Sequence, residues 1–228
     1  MGDGVWKKGS YNMASSIMHL AVINELTKKF TFKDESRLKF GAVLPDAGAK
    51  QVGHLKISFC GSNKKAYDFE FFRSKYGNLM KEDDLYLGYY LHLVQDVCYR
   101  HFVYDKYHWN PLIPGNIERL HNDYSIINHY VIEKYQLNNT LKVPSQFEKE
   151  FINEICIFDV NSLMESLEEY FNKTPNGDVF FFTREMADEY ITEATEICEK
   201  ELTALEEGTD LISSYETAWD RCSGSFYI

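Results

Sequence analysis

His92 and Asp96 stand four positions apart in Leu87-Gly88-Tyr89-Tyr90-Leu91-His92-Leu93-Val94-Gln95-Asp96, a run that is otherwise apolar on nearly every turn. That spacing stacks an imidazole and a carboxylate on one face of a helix. Two such groups inside an apolar helix are costly unless something pairs with them. A divalent metal ion satisfies both at once, and Gly88, one turn earlier on the same stripe, is expected to leave room beside it. The chemistry this points to is metal-dependent hydrolysis.

Four further residues have types that could complete such a centre. His19 sits in Ser16-Ile17-Met18-His19-Leu20, at the middle of an apolar helical face; Asp46 follows Pro45 just after a helix end; His54 follows Gly53 in a connection; His121 flanks the apolar stripe of a later helix. Each has a plainer role open to it: a core histidine bonded to a carbonyl, a turn or cap carboxylate, a solvated loop side chain. Taken together, four histidines and two aspartates from three helices and a loop can hold more than one ion, since zinc accepts imidazole nitrogen and carboxylate oxygen. Clustered divalent ions bridge phosphate oxygens and lower the pKa of water, which is a route to phosphate-ester hydrolysis. Arg100 can hold a phosphate oxygen through a bidentate contact, or pair with one of the many acidic residues.

The elements that must position these groups read as helices. Apolar periodicity predicts helices over 13–30, 34–43, 66–76, 82–102, 116–135, 146–156, 160–172 and 182–206, with a short last one at 213–221. Leu44-Pro45-Asp46-Ala47-Gly48 breaks the second helix, 47–63 is expected to cross the surface as a loop, and His108 to Gly115 forms another irregular connection. Residues 1–12 read as a flexible arm and 13–228 as one domain, all-α, with a cleft covered by the loops near 44–56 and 103–115. No internal repeat or low-complexity segment interrupts it.

Composition bounds the partners. With 228 residues the chain can bury a sizeable core, and sixteen Tyr with sixteen Phe make that core aromatic. A net charge of −11 provides no basic surface for stable nucleic-acid binding, so a small phosphate ester is the expected partner and would need a local cation, such as zinc, to be held. The same charge opposes anionic lipid surfaces. No run approaches the ~20 apolar residues of a membrane span. The five scattered cysteines form no CxxC pair, and no apolar signal segment opens the chain, so a cytoplasmic location is expected.

The order of the motifs resembles the zinc-dependent phospholipase C family and the nucleases that share its fold. The segments that carry the resemblance are Ser16 to Leu20, Leu44-Pro45-Asp46-Ala47, Gly53-His54, Tyr86 to Asp96, and Arg119-Leu120-His121-Asn122-Asp123-Tyr124, spread over residues 13–135. The resemblance implies an all-helical fold with up to three zinc ions in a cleft. It implies His19, His54, His92 and Asp96 as ligands, and Asp46 as a ligand or as the carboxylate that orients the attacking water. The chain departs from the family at three places. The family's amino-terminal Trp ligand is matched only by the internal Trp6. Val97-Cys98-Tyr99-Arg100-His101 lacks the family's Pro, and its histidine falls one position early. The family's His-x-x-x-Glu becomes His121-x-x-x-Ser125, and Asp123 lies about 200° around the helix from His121. These departures imply a reduced set of one or two ions. They also leave open a non-catalytic helical binding protein that keeps the metal as a structural element, and a helical domain whose histidines are unrelated.

Overall fold

A computed structural model describes residues 14–173 and 177–220; the expected N-terminal arm, Trp6, Cys222 and most of the break at 174–177 lie outside them. Among the described residues the architecture is a helical assembly with one small sheet. In chain order its elements are α1 (Ser16–Leu26), α2 (Glu35–Gly41), α3 (Lys50–Gly53), β1 (Lys56–Ser58), β2 (Lys64–Tyr67), α4 (Phe69–Glu82), α5 (Asp84–Arg100), α6 (Asn116–Lys134), α7 (Val160–Asn172), α8 (Arg184–Glu206) and β3 (Trp219–Asp220).

Side-chain caps mark where several helices begin. Ser15 accepts from the Met18 N–H at the start of α1, Asp34 from Ser36 and Arg37 before α2, Asp83 from Leu85 before α5, and Thr183 from Met186 before α8. Helix α5 is the axis of the core: all its residues except Leu87 and Arg100 are buried. It packs against α2, α4 and α8, while α1 packs against α6 and α8. The aromatic composition fills the space between α4 and α5, where Phe72 stacks on Tyr89 with ring centroids 5.2 Å apart and Tyr76 lies 5.7 Å from Tyr86.

Helices α2 and α5 touch through glycine. A Cβ at Gly88 would lie 2.1 Å from the Leu38 carbonyl oxygen, and one at Gly41 would lie 2.1 Å from the Leu85 carbonyl oxygen. Gly88 therefore does not open space beside a metal, as the sequence suggested. It lets α2 close onto α5, and that contact brings the end of α2 to His92.

Several expected elements take other forms. The surface loop at 47–63 is in part α3 and β1. The helix expected at 66–76 begins as strand β2, and α4 follows from Phe69. The region 146–156 folds as two 3₁₀ turns, Phe147–Lys149 and Phe151–Glu154. Of the last helix expected at 213–221, the described residues form a turn leading into β3. Strand β1 pairs antiparallel with β2 (Ile57 opposite Ala66), and β2 pairs antiparallel with β3 (Lys65 opposite Trp219). These strands are two to four residues long, and β1 and β3 are edges joined from distant parts of the chain, so local periodicity carries little of their signal. Helix α5 runs on into a π-helical turn, His101–Lys106.

Candidate metal centre

His19 on α1, Asp46 in the 3₁₀ turn Leu44–Ala47, His54 after α3, and His92 and Asp96 on α5 converge at one place. His92, the i, i+4 partner of Asp96, is fully buried, as is His19; His54 and Asp96 are 1% exposed. His54 is thus not the solvated loop residue its sequence context allowed. Asp46 is the most open of the five, with 22% of its side chain exposed.

Local folding explains how each is aimed. The Pro45 to Gly53 segment folds back on itself so tightly that a Cβ on Gly53 would lie 2.8 Å from the Pro45 carbonyl oxygen. The buried Tyr89 hydroxyl donates to the Gly53 carbonyl and pins the end of α3 to α5. Leu55 then adopts a left-handed φ of 50°, which turns the chain into β1 directly after His54. Asp46 and His54 are thereby left 3.6 Å apart.

The imidazole tautomers are set by hydrogen bonds on the far side of each ring. His92 Nδ1 donates to the Ala42 carbonyl at 2.8 Å, and His19 Nδ1 donates to Gln95 Oε1 at 3.0 Å. Both Nε2 atoms are therefore turned inward as lone-pair donors, the arrangement in which a metal-binding histidine is held by a second partner. The two rings stack with centroids 4.0 Å apart.

Three inward atoms form a triangle: His54 Nε2 to His92 Nε2 is 3.2 Å, His54 Nε2 to Asp96 Oδ2 is 3.4 Å, and His92 Nε2 to Asp96 Oδ2 is 3.6 Å. Donors at tetrahedral corners 2.0–2.1 Å from a zinc ion stand about 3.3 Å apart. The triangle fits that spacing. A second group, His19, Asp46 and His92, also brings one donor atom from each residue within 4.8 Å of the others. His19 Nε2 and Asp96 Oδ1 face each other at 3.5 Å, and both are buried without a hydrogen bond. Buried polar atoms in that condition are costly, and an ion bound between such donors relieves the cost.

The electrostatics agree with a ligand set. Burial, then the neighbouring His19, pushes His92 down to about 3, so its imidazole is neutral. Burial would raise the Asp96 carboxyl, but His92, His19 and His54 together hold it well below the usual carboxylate range; burial is likewise outweighed at Asp46, by His54 first. Burial alone would lower His19, yet the facing Asp96 carboxylate, with Asp46 and Gln95, raises it.

Other residues singled out from the sequence lie elsewhere. His121 is half-buried, belongs to neither donor group, and has Lys50 and Glu118 as its charged neighbours. Both Asp123 oxygens are occupied by backbone, Oδ1 accepting from Phe180 N (2.7 Å) and Oδ2 from Phe181 N (2.7 Å) and Phe182 N (2.9 Å). His101 pairs with Asp105 at 3.3 Å on the π-helical turn. Arg100 lies over the Trp219 ring, 4.2 Å from its centroid.

The sequence reading assigned no role to three groups that shape the centre: Gln95, Ser16, whose hydroxyl donates to Asp46 Oδ2 at 2.7 Å, and Tyr67, whose hydroxyl donates to Asp96 Oδ2 at 3.3 Å. Gln95 carried a signal, since a buried amide in an apolar helix also needs a partner. Tyr67 carried none, because β2 was read as helix.

A family model described as zinc-dependent phospholipase C matches residues 17–196 of the chain. That span contains all five converging residues. No curated protein and no solved structure matches. Among the described residues, no helix is long and apolar enough to cross a membrane.

Proposed function

The chain belongs to the zinc-dependent phospholipase C family, and from that premise we propose that its His/Asp centre holds zinc and hydrolyses a phosphodiester. The observation that carries the proposal is the donor triangle of His54, His92 and Asp96, spaced for a tetrahedral ion and offering three protein ligands, which leaves one position open as catalytic zinc sites do. An imidazole nitrogen binds one ion, so when this group is filled His92 is unavailable to the second group. His19 and Asp46 are then the donors of the second group that remain free for another ion.

Zinc held by these donors would supply a Lewis acid for a phosphoryl oxygen and would lower the pKa of water. The chain's own residues do the rest. Asp46, partly open to solvent and held by Ser16 and His54, orients the attacking water and accepts its proton. Asp96, fixed by Tyr67, keeps His54 and His92 in register. Arg100, stacked on Trp219 near Asp96, is the residue we assign to a phosphate oxygen.

Zinc per chain, measured by elemental analysis, together with turnover of a chromogenic phosphodiester, tests the proposal. Wild type is expected to carry at least one zinc and to turn the ester over; His92→Ala is expected to lose metal. Folded His92→Ala with unchanged zinc sinks the ligand assignment. Zinc-loaded wild type inert on every phosphate ester would instead favour the non-catalytic binding protein, for which Ser125 in place of a carboxylate is the sequence sign.

A further inference from the structure

Cations gather beside this centre in a chain whose 35 acidic residues outnumber its 24 basic ones. Lys50, first residue of α3, interacts electrostatically with Lys56, Arg100, Asp46 and Asp96. Lys56, on β1, interacts with Asp96, Arg100 and Asp46. The Lys50 ammonium nitrogen has essentially no solvent exposure and makes no hydrogen bond. A buried ammonium without a partner is costly, so its position calls for an anion.

An aromatic plate supports the other two cations. Tyr67 on β2 and Trp219 on β3 lie 5.0 Å apart; Lys56 Nζ stands 5.8 Å from the Tyr67 centroid, and the Arg100 guanidinium 4.2 Å from the Trp219 centroid. The same Tyr67 hydroxyl reaches Asp96 at 3.3 Å, so the plate joins the metal centre directly. The small sheet thus has a use: it carries Lys56 and Tyr67 and presents Trp219 to Arg100. His121, on the side where the chain has Ser125, faces Lys50 and no carboxylate of the centre.

Neutralising Asp46 and Asp96 does not account for these charges. Lys50, Lys56, Lys65 and Arg100 interact here with Asp46, Asp96 and Asp105, so the cations are in excess of the carboxylates even before a divalent ion is added.

We infer that Lys50 and Lys56, with Arg100, form an anion-binding flank of the metal centre that selects phosphate esters with a neutral or anionic alcohol group over those with a quaternary ammonium group. The inference rests on the phosphate-ester reading of the centre. It goes beyond that reading in naming the charge of the part of the substrate that does not react. A quaternary ammonium there would meet like charge, while a hydroxyl, carboxylate or second phosphate would be held by the lysines.

Binding to the zinc-loaded protein, read by calorimetry, separates this inference from catalysis. Glycerol phosphate and phosphocholine share the phosphate and differ in the charge of the alcohol. Wild type is expected to bind glycerol phosphate about tenfold more tightly, the size of one partly buried charge interaction. Lys50→Met and Lys56→Ala should each shrink that preference severalfold with zinc content and melting temperature kept, and Lys56→Arg should restore it. Vesicles of phosphatidylglycerol against phosphatidylcholine repeat the comparison for a lipid headgroup, so the two arms tell a free ester from a lipid. A lysine-dependent preference for the anionic member in either arm supports the inference, even if no ester is turned over. Equal affinity for both members in both arms, or loss of both alike in the variants, overturns it, even if wild type hydrolyses a phosphodiester.

Discussion

Gly88→Ala puts the link between helix packing and the metal centre under strain at one atom. The new Cβ would sit 2.1 Å from the Leu38 carbonyl oxygen and 2.9 Å from the Ala42 nitrogen, whereas ordinary contact begins at 3.4 Å. Both neighbours are backbone, so α2 must recede by about 1.3 Å, the shortfall from van der Waals contact. Ala42 lies at the end of α2, and its carbonyl is the acceptor for His92 Nδ1 at 2.8 Å. A recession of that size stretches the bond to about 4 Å, beyond hydrogen-bond range. Overpacking costs about 1–3 kcal/mol and the lost bond about 1 kcal/mol, offset by about 1 kcal/mol from the better helix propensity of Ala. The net loss of about 1–3 kcal/mol corresponds to a melting point lower by roughly 3–10 °C for a chain of this size. Freed of its far-side partner, His92 should also bind zinc about 10- to 100-fold more weakly.

The assays are thermal melting followed by circular dichroism, and zinc affinity from competition with a chelating dye. Gly77→Ala on α4 is the control, because a Cβ there meets nothing within 4 Å; it should gain about 1 kcal/mol. If Gly88→Ala behaves like Gly77→Ala, with unchanged or raised melting point and the same zinc affinity, the reasoning about this contact is refuted.

Asp46→Asn keeps shape but removes the basic group, so turnover of a phosphodiester should fall ~10²-fold or more with zinc per chain largely kept; equal turnover would remove Asp46 from the mechanism. Because the ligands come from α1, α5 and the turns around α3, a chelator should lower the melting temperature by several degrees through loss of linked binding energy. Superimposable melts with and without chelator would mean the ion is peripheral. Asp123→Ala leaves the N–H groups of Phe180, Phe181 and Phe182 without their acceptor and should cost about 2–4 kcal/mol in urea unfolding. Its zinc content should match wild type, and a drop in zinc without loss of stability would restore Asp123 as a ligand.

The helical class and the core of the site could be read from the residues themselves. An i, i+4 His/Asp pair in an apolar run makes a local demand, and α5 answers it by burying His92 and Asp96 together. Strongly periodic segments such as 116–135 and 160–172 appear at α6 and α7 within a residue or two of their expected ends. The order of the short motifs sufficed for the family. What failed was the sheet: β1, β2 and β3 are too short to declare themselves, and β3 exists only because β2, far away in the chain, completes its ladder. Gly88 reads the same in sequence whether it makes room for a ligand or for a helix, and only the position of Leu38 decides between them.

Tertiary structure also decided the difference between a donor and a bystander. His54, which its loop context left free to be solvated and the resemblance implied as a ligand, is buried in the triangle; His121 and Asp123 lie within a promising motif, yet one has Lys50 and Glu118 as charged neighbours and the other accepts from three backbone amides. Donor chemistry is a property of residue type and can be read locally. Convergence within about 3.3 Å, the spacing a tetrahedral zinc ion requires, depends on how α1, α3 and α5 pack, and so on contacts between residues up to 77 positions apart that no local window contains.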